Sequence, residues 1–234
     1  MNTSIKFDKL KLLEEKIKIS FNNKNLLTNA FIHRSYINEH PDFKGDTNER
    51  LEFLGDSVLS IFVSRHLYQQ LPKSAEGKLT QTRASLVRTE TLAKLARKIS
   101  LGDYLYLSKG EEESGGRSNK SILANTFEAL VGAIYLDQGD AVAQAFVKEN
   151  ILDSWQELAK TAVSDNKSKL QEKLQKSFHK SPMYKLEKTW GPDHDRRFEI
   201  KVLMEGKILG TGVGKNKQSA TQNAAKDALT RLSI

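Results

Sequence analysis

One stretch, Asn48-Glu49-Arg50-Leu51-Glu52-Phe53-Leu54-Gly55-Asp56-Ser57, sets terms that the rest of the chain must meet. Glu49, Glu52 and Asp56 stand at i, i+3 and i+7, so a helix turning about 100° per residue puts all three in one narrow stripe. Leu51, Leu54, Val58, Ile61 and Phe62 fall roughly opposite and predict a core-facing side. No Lys or Arg has the spacing to neutralise the acidic stripe. Two outcomes are open to such a helix. It presents a solvated acidic face, or its carboxylates hold a hard divalent cation such as Mg²⁺, which takes carboxylate oxygens and keeps several waters.

Up to residue 164 the pattern is helical throughout. Helices are predicted over 4–19, with Ile5, Leu10, Leu13 and Ile17 on one side, and over 26–36 after the Asn22-Asn23 turn. A packed or capping role suits His33 and Arg34, with a functional role as the alternative. Asp46, Thr47 or Asn48 caps the acidic helix, which runs to about Gln70 and stops before Pro72. Residues 73–78 form a loop carrying Glu76; helices follow over 79–88 and 90–99, and 101–107 is short and irregular. Glu111-Glu112-Glu113 and Gly115-Gly116 mark 109–120 as a mobile loop. Ser121 opens a strongly apolar helix to about Asp137, Gly139 breaks it, and a last long helix covers 141–163. Asn125 and Glu128 share one face of the apolar helix, among Ile122, Leu123, Phe127, Leu130 and Val131. A carboxylate there needs a partner, because an unpaired buried charge is costly. The candidates are an arginine, such as Arg50 or Arg83, or a cation shared with Glu52 and Asp56.

Composition shifts at Ser164-Asp165-Asn166-Lys167-Ser168, which reads as a linker. The expected division is a domain over 1–160, a linker over 161–167 and a second domain over 168–234. Residues 165–234 carry fifteen Lys/Arg against eight Asp/Glu, while residues 1–164 carry twenty-two against twenty-one. The basic excess therefore belongs to the last third, as suits a polyanion-binding part. There a helix over 168–178 precedes extended runs at 184–190, 197–204 and 207–214 and an alanine-rich helix over 218–232. Gly191-Pro192-Asp193 and Glu205-Gly206 supply the turns, so the order is α-β-β-β-α. The chain has no cysteine, which excludes disulfides and thiolate metal sites, and its five scattered histidines argue against zinc. No apolar run is long enough to cross a bilayer, and the N-terminus lacks a signal-peptide core. A soluble, cytoplasmic protein without membrane contact is expected.

The acidic string resembles the signature of the ribonuclease III family, enzymes that cut double-stranded RNA. Further matches follow in order: His33-Arg34-Ser35-Tyr36, Glu76-Gly77, the stretch from Ser121 to Leu130, and a C-terminal segment like a double-stranded-RNA-binding domain. The resemblance covers nearly all of the chain. It implies an all-α endonuclease domain followed by a small α+β RNA-binding domain. It also implies an Mg²⁺-dependent endoribonuclease, with Mn²⁺ as a substitute and no small-molecule cofactor. Products would carry 5′-phosphate and 3′-hydroxyl ends, and the substrates would be ribosomal and messenger RNA precursors. A homodimer is implied as well, each protomer cutting one strand.

Position by position, Glu52, Asp56 and Glu128 match the family's Mg²⁺ ligands, with Asp56 and Glu128 the catalytic pair. Glu49 and Glu76 match acidic positions that help shape the site. Asn125 stands where Asp is usual; its neutral carbonyl can still ligate, but one negative charge is lost, which predicts weaker Mg²⁺ affinity. Gly132 permits close packing between protomers or, equally, within the monomer's core. A-form RNA shows its 2′-hydroxyls in a shallow minor groove and is recognised by shape. Gln171, Glu172 and Gln175 on the first helix of the second domain would address those hydroxyls, and His194 in the following loop would enter the next minor groove. Lys215, Lys217 and Gln218, at the N-terminal end of the final helix, would meet phosphates, with Gln218 where a second lysine is common. A duplex-RNA-binding protein with a decayed nuclease domain, or a structural component of a ribosome-like particle, would not need the acidic set.

Overall fold

In the computed structural model, which describes residues 3–161, 166–192 and 195–232, the chain divides into two units, residues 1–162 and 163–234. The first is built from α1 (Thr3–Ile17), α2 (Lys24–Asn29), α3 (Arg34–Glu39), α4 (Glu49–Gln70), α5 (Glu76–Val87), α6 (Thr89–Lys98), α7 (Lys109–Glu113), α8 (Lys120–Asn150) and α9 (Trp155–Thr161). Among its described residues the sole extended pairing is an isolated parallel bridge between Ile32 and Tyr106, so the unit is all-helical as its sequence pattern predicts.

The apolar helix α8 is the axis of this unit. Its Ile122, Leu123, Phe127, Leu130, Val131 and Ile134 are buried, and so are Leu51, Val58, Leu59, Phe62, Val63 and Leu67 on α4. Where these helices cross, each contributes a glycine. A Cβ built on Gly55 would overlap the carbonyl of Glu128, and one on Gly132 would overlap the carbonyl of Leu51 and lie 3.2 Å from the Gly55 nitrogen. Only residues without a Cβ admit backbones that close. Gly132 is therefore spent inside the protomer's own core.

Several expectations are corrected. The predicted helix over 26–36 is two, because Tyr106 N–H donates to Phe31 O (2.9 Å) and His33 N–H to Tyr106 O (3.1 Å), which diverts the backbone from helical bonding. His33 is extended and caps α3, its ring accepting from the Ser35 N–H at 3.3 Å. Glu76 is the first residue of α5 rather than part of a loop. Residues 109–120 are not a loop: α7 and a 3₁₀ turn at Gly116–Ser118 occupy them. Arg117 anchors them, donating to Gly102 O (2.9 Å), Leu105 O (3.0 Å) and the Glu112 carboxylate (2.7 Å). The expected last long helix is also divided. Gly139 (φ 81°, ψ −177°) is non-helical and interrupts α8 where a break is expected, and the chain breaks a second time at Ile151 before α9. Ile61, expected in the core, is 61% exposed, just past the edge of the buried stripe.

In the second unit α10 (Asn166–Phe178) precedes β1 (Met183–Trp190), β2 (Arg197–Met204), β3 (Lys207–Gly214) and α11 (Lys217–Arg231). Asn166 and Lys167, expected in the linker, are helical, and 162–165 lie outside the described residues. The strands form an antiparallel sheet in the order β1-β2-β3. Its β2–β3 turn uses positive φ at both Glu205 (50°) and Gly206 (76°), the conformation that matches strand twist. The Gly-x-Gly-x-Gly stripe of β3 lies directly against the Ala220, Ala224, Ala228 stripe of α11. A Cβ on Gly212 would come within 2.5 Å of the Ala220 carbonyl, and one on Gly210 within 2.5 Å of the Ala228 nitrogen. Two strand residues advance about 6.6 Å and four helical residues about 6 Å, so the two stripes stay in step.

These close approaches predict separable losses. Gly132→Ala should cost the first unit about 1–3 kcal/mol, and Gly212→Ala the second a similar amount, as overpacking of a tight core does. Trp155 lies in the first unit and Trp190 in the second. Urea unfolding of single-tryptophan variants should therefore show each substitution moving one transition and leaving the other in place.

Candidate active site

Because Gly55 admits the backbone of Glu128, the carboxylates flanking that glycine on α4 meet the polar face of α8. Glu49, Glu52, Asp56, Asn125 and Glu128 all line one cavity of about 790 Å³. Glu52, Asn125 and Glu128 are half-buried, whereas Glu49 and Asp56 are exposed at its mouth. Glu76 is not among the lining residues; its carboxylate accepts from Thr80 Oγ1 at 2.8 Å. Within the protomer, then, the structure brings five of the six acidic-set residues together and leaves Glu76 elsewhere.

Crowding leaves an electrostatic signature. Burial, then Asp56 and Glu52, push the Glu128 carboxyl up to about 8. Glu52 is raised by burial first and Glu49 next, against a hydrogen bond from Asn125 that lowers it. At neutral pH Glu128 thus holds a proton. Neither arginine weighed as its partner plays that role: Arg50 lies 3.9 Å from Asp46, and Arg83 donates to Ser64 Oγ at 3.0 Å. Among the described residues one arginine does reach the cavity, Arg34 of α3, whose guanidinium is 3.9 Å from Glu49. No three His, Asp or Glu side chains among the described residues stand close enough to hold a metal ion as placed. The donor set nevertheless fits a hard divalent cation. Glu52, Asp56, Glu128 and the Asn125 carboxamide oxygen border one space, no base among the described residues pairs with Glu128, and burial, with like charges behind it, raises both Glu128 and Glu52.

His33 and Ser35 border the same cavity. His33 Nδ1 lies 2.8 Å from Ser35 Oγ, which also accepts from the Ser108 N–H at 3.1 Å, and burial lowers the imidazole's pKa despite nearby Glu111 and Glu49. Asn48, Glu111 and Asn119 also line the cavity and were not anticipated as site residues. For Glu111 a signal existed. Ser108-Lys109-Gly110-Glu111 is a Ser-x-x-Glu helix start, and Ser108 Oγ does accept from the Glu111 N–H at 3.1 Å.

In the second unit Gln171, Glu172 and Gln175 are exposed on α10, whose buried side carries Leu170 and Leu174. Lys215, Lys217 and Gln218 are exposed around the start of α11. A reciprocal cap fixes that start: the Ser219 N–H donates to Asn216 Oδ1 (2.8 Å) and the Asn216 N–H to Ser219 Oγ (3.3 Å). His194 lies outside the described residues.

Comparison with known proteins follows the same division. A ribonuclease-III-like family model matches residues 23–155, and a double-stranded RNA binding motif matches residues 166–232. Ribonuclease 3 of Enterococcus faecalis is 46% identical over 220 residues, spanning 94% of this chain and 96% of the relative. Ribonuclease 3 of Bacillus licheniformis is 42% identical over 227 residues, spanning 97% and 91%. Among solved structures, a nuclease domain of ribonuclease III from Campylobacter jejuni matches with 39% identity and a TM-score of 0.54, covering 60% of this chain and 96% of that one. A second structure of that domain gives 36% identity and 0.53, covering 70% and 97%.

The Glu128 shift carries a pH dependence with a definite sign. Below the usual carboxylate range the group is protonated whether the chain is folded or not. Between there and about pH 8 the unfolded chain releases the proton and the folded chain keeps it, so the metal-free fold loses stability as pH rises through that window. In chelator, melting temperature between pH 5 and 8.5 should fall more steeply for the natural chain than for Glu128→Gln. Equal slopes would mean that the proton is not held there.

Proposed function

The chain belongs to the ribonuclease III family, and on that footing we propose that Glu52, Asp56, Asn125 and Glu128 hold Mg²⁺ for hydrolysis of RNA phosphodiesters. As an endoribonuclease of this type it binds and cuts double-stranded RNA. We assign Mg²⁺ as the natural ion and Mn²⁺ as a substitute, 5′-phosphate and 3′-hydroxyl product ends, and ribosomal and messenger precursors as substrates in the cytoplasm. No helix of the described residues is long and apolar enough to cross a membrane. We assign catalysis to the first unit, whose last helix reaches Thr161, and RNA binding to the second, whose first helix begins at Asn166.

One observation carries the proposal: acidic and carboxamide groups from α4 and α8 border a single cavity, and no arginine or lysine among the described residues pairs with Glu128. A divalent cation bound there supplies a nucleophile from water near neutral pH and offsets charge on the phosphate. The chain's own part is to collect the ligands and manage their charge. Glu128 must give up its proton, so binding should tighten toward pH 8. Asn125 contributes a neutral oxygen, and Glu49 is left to balance Arg34 at the mouth. For duplex binding, Gln171, Glu172, Gln175 and His194 address the minor grooves, while Lys215, Lys217 and Gln218 meet phosphates with the α11 dipole behind them.

We further propose a homodimer. Phe53, Ile61 and Tyr68 on α4 are 78%, 61% and 74% exposed, an apolar stripe that a second copy would cover. The Campylobacter jejuni work itself concerns a region involved in dimer formation of that nuclease domain. A duplex-binding protein without catalysis has one supporting feature, Asn125 in place of Asp, and five intact acidic residues against it.

Duplex RNA incubated with and without Mg²⁺, with end-group mapping, tests the whole. Glu128→Gln should abolish cutting while duplex binding persists; cleavage by that variant refutes its role. Asn125→Asp should lower the Mg²⁺ midpoint, and an unmoved midpoint removes residue 125 from the ligand set. Lys217→Ala should weaken binding alike on all sequences and reduce the salt slope by about one.

A further inference from the structure

His66 of α4 lies outside the acidic cavity, and the proposed chemistry makes no use of it. The residue is half-buried, and its Nε2 is buried with no hydrogen-bond partner among the described residues. Its ring packs in a T-shaped arrangement with the indole of Trp155, the first residue of α9, with centroids 6.1 Å apart and planes at 77°. Two charged groups act on the imidazole: Asp153, in the 3₁₀ turn before α9, and Lys148, near the end of α8. They pair with each other, Lys148 Nζ donating to Asp153 Oδ1 at 2.7 Å, so the carboxylate is already engaged. On the same helix Arg65 lies over the Phe62 ring, and from α5 Arg83 is turned to Ser64.

An imidazole so placed suits the neutral state alone. A proton would put charge on a ring whose buried nitrogen has no acceptor, and burial already holds the group below its ordinary value of 6.5, with Asp153 opposing and Lys148 assisting. Cation–π attraction to the indole returns less than a buried charge without a hydrogen bond loses. We propose that His66 and Trp155 form a proton-sensitive latch, in which the neutral imidazole holds α9 on α4 and protonation releases it. α9 is the last element before the second unit, so its release adds seven residues to the segment that joins the two. Above pH 6.5 the ring is mostly neutral whether α9 is packed or free, and the latch is at full strength. As pH falls from there through the lowered value, the free state takes the proton first and the packed state is progressively lost.

The test uses the full chain carrying Trp190→Phe, which leaves Trp155 as its one tryptophan. Acrylamide quenching of the fluorescence, read from about pH 8 down to about pH 5, measures how open the indole is across the range in which the imidazole titrates. Accessibility should rise and emission move to longer wavelength, with a midpoint below 6.5. His66→Phe keeps a packed ring that takes no proton, and its Trp155 should stay closed throughout. His66→Gln repeats the comparison should the phenylalanine variant not fold. A chain with His66 in place whose Trp155 stays equally closed, or closes further in acid, overturns the latch. So does an acid opening that His66→Phe or His66→Gln shares.

Discussion

Two helix backbones touch at Gly55 and Gly132, and the chemistry of the first unit depends on that contact. The atom pressed against Gly55 is the carbonyl of Glu128 itself. Glu52 and Asp56 flank Gly55 in sequence, so the approach that closes the core also delivers three carboxylates to one cavity. Holding them there is unfavourable, since burial first and the neighbouring Asp56 and Glu52 next raise the Glu128 carboxyl. Burial of the leucine, valine and phenylalanine side chains of α4 and α8 offsets it, since each apolar side chain taken from water contributes roughly 1.5–3 kcal/mol. Packing thus holds together charges that would separate if free.

The second unit uses the same device for a different end. Glycines alternating along β3 let an alanine-faced helix lie flat on the strand, and the pairing fixes where α11 begins. At that beginning the Asn216–Ser219 cap satisfies the local groups and leaves Lys215, Lys217 and Gln218 exposed beside the positive end of the helix dipole. Small residues bury the backbone, and the basic groups are left to solvent and ligand.

A chain of hydrogen bonds joins segments distant in sequence near the acidic cavity. Ser35 joins His33 to the Ser108 backbone, Ser108 caps α7, and Arg117 ties the following turn to the carbonyls of Gly102 and Leu105. A stretch whose local composition reads as loop is therefore held in place by partners far away in sequence, and it brings Glu111 to the cavity. Asn48 is tied in by its bond to Ile32.

Local pattern alone decided much of this protein. The helical period around the acidic string, the three extended runs bounded by turn residues and the charge imbalance between the parts are properties of neighbouring residues, and they were legible as such. So was the acidic set, because spacing on one helix places Glu49, Glu52 and Asp56 together without any tertiary information. What only the tertiary structure decided depends on residues distant in the chain. Tyr106 splits a predicted helix at Ile32, Arg117 orders a glycine-rich segment, and Gly132 is consumed inside the core rather than left for a partner. Glu76 falls outside the cavity, and Asn48 enters it, for the same reason. Periodicity states which face of an element is apolar, but backbone hydrogen bonds and close approaches between remote segments state what that face meets.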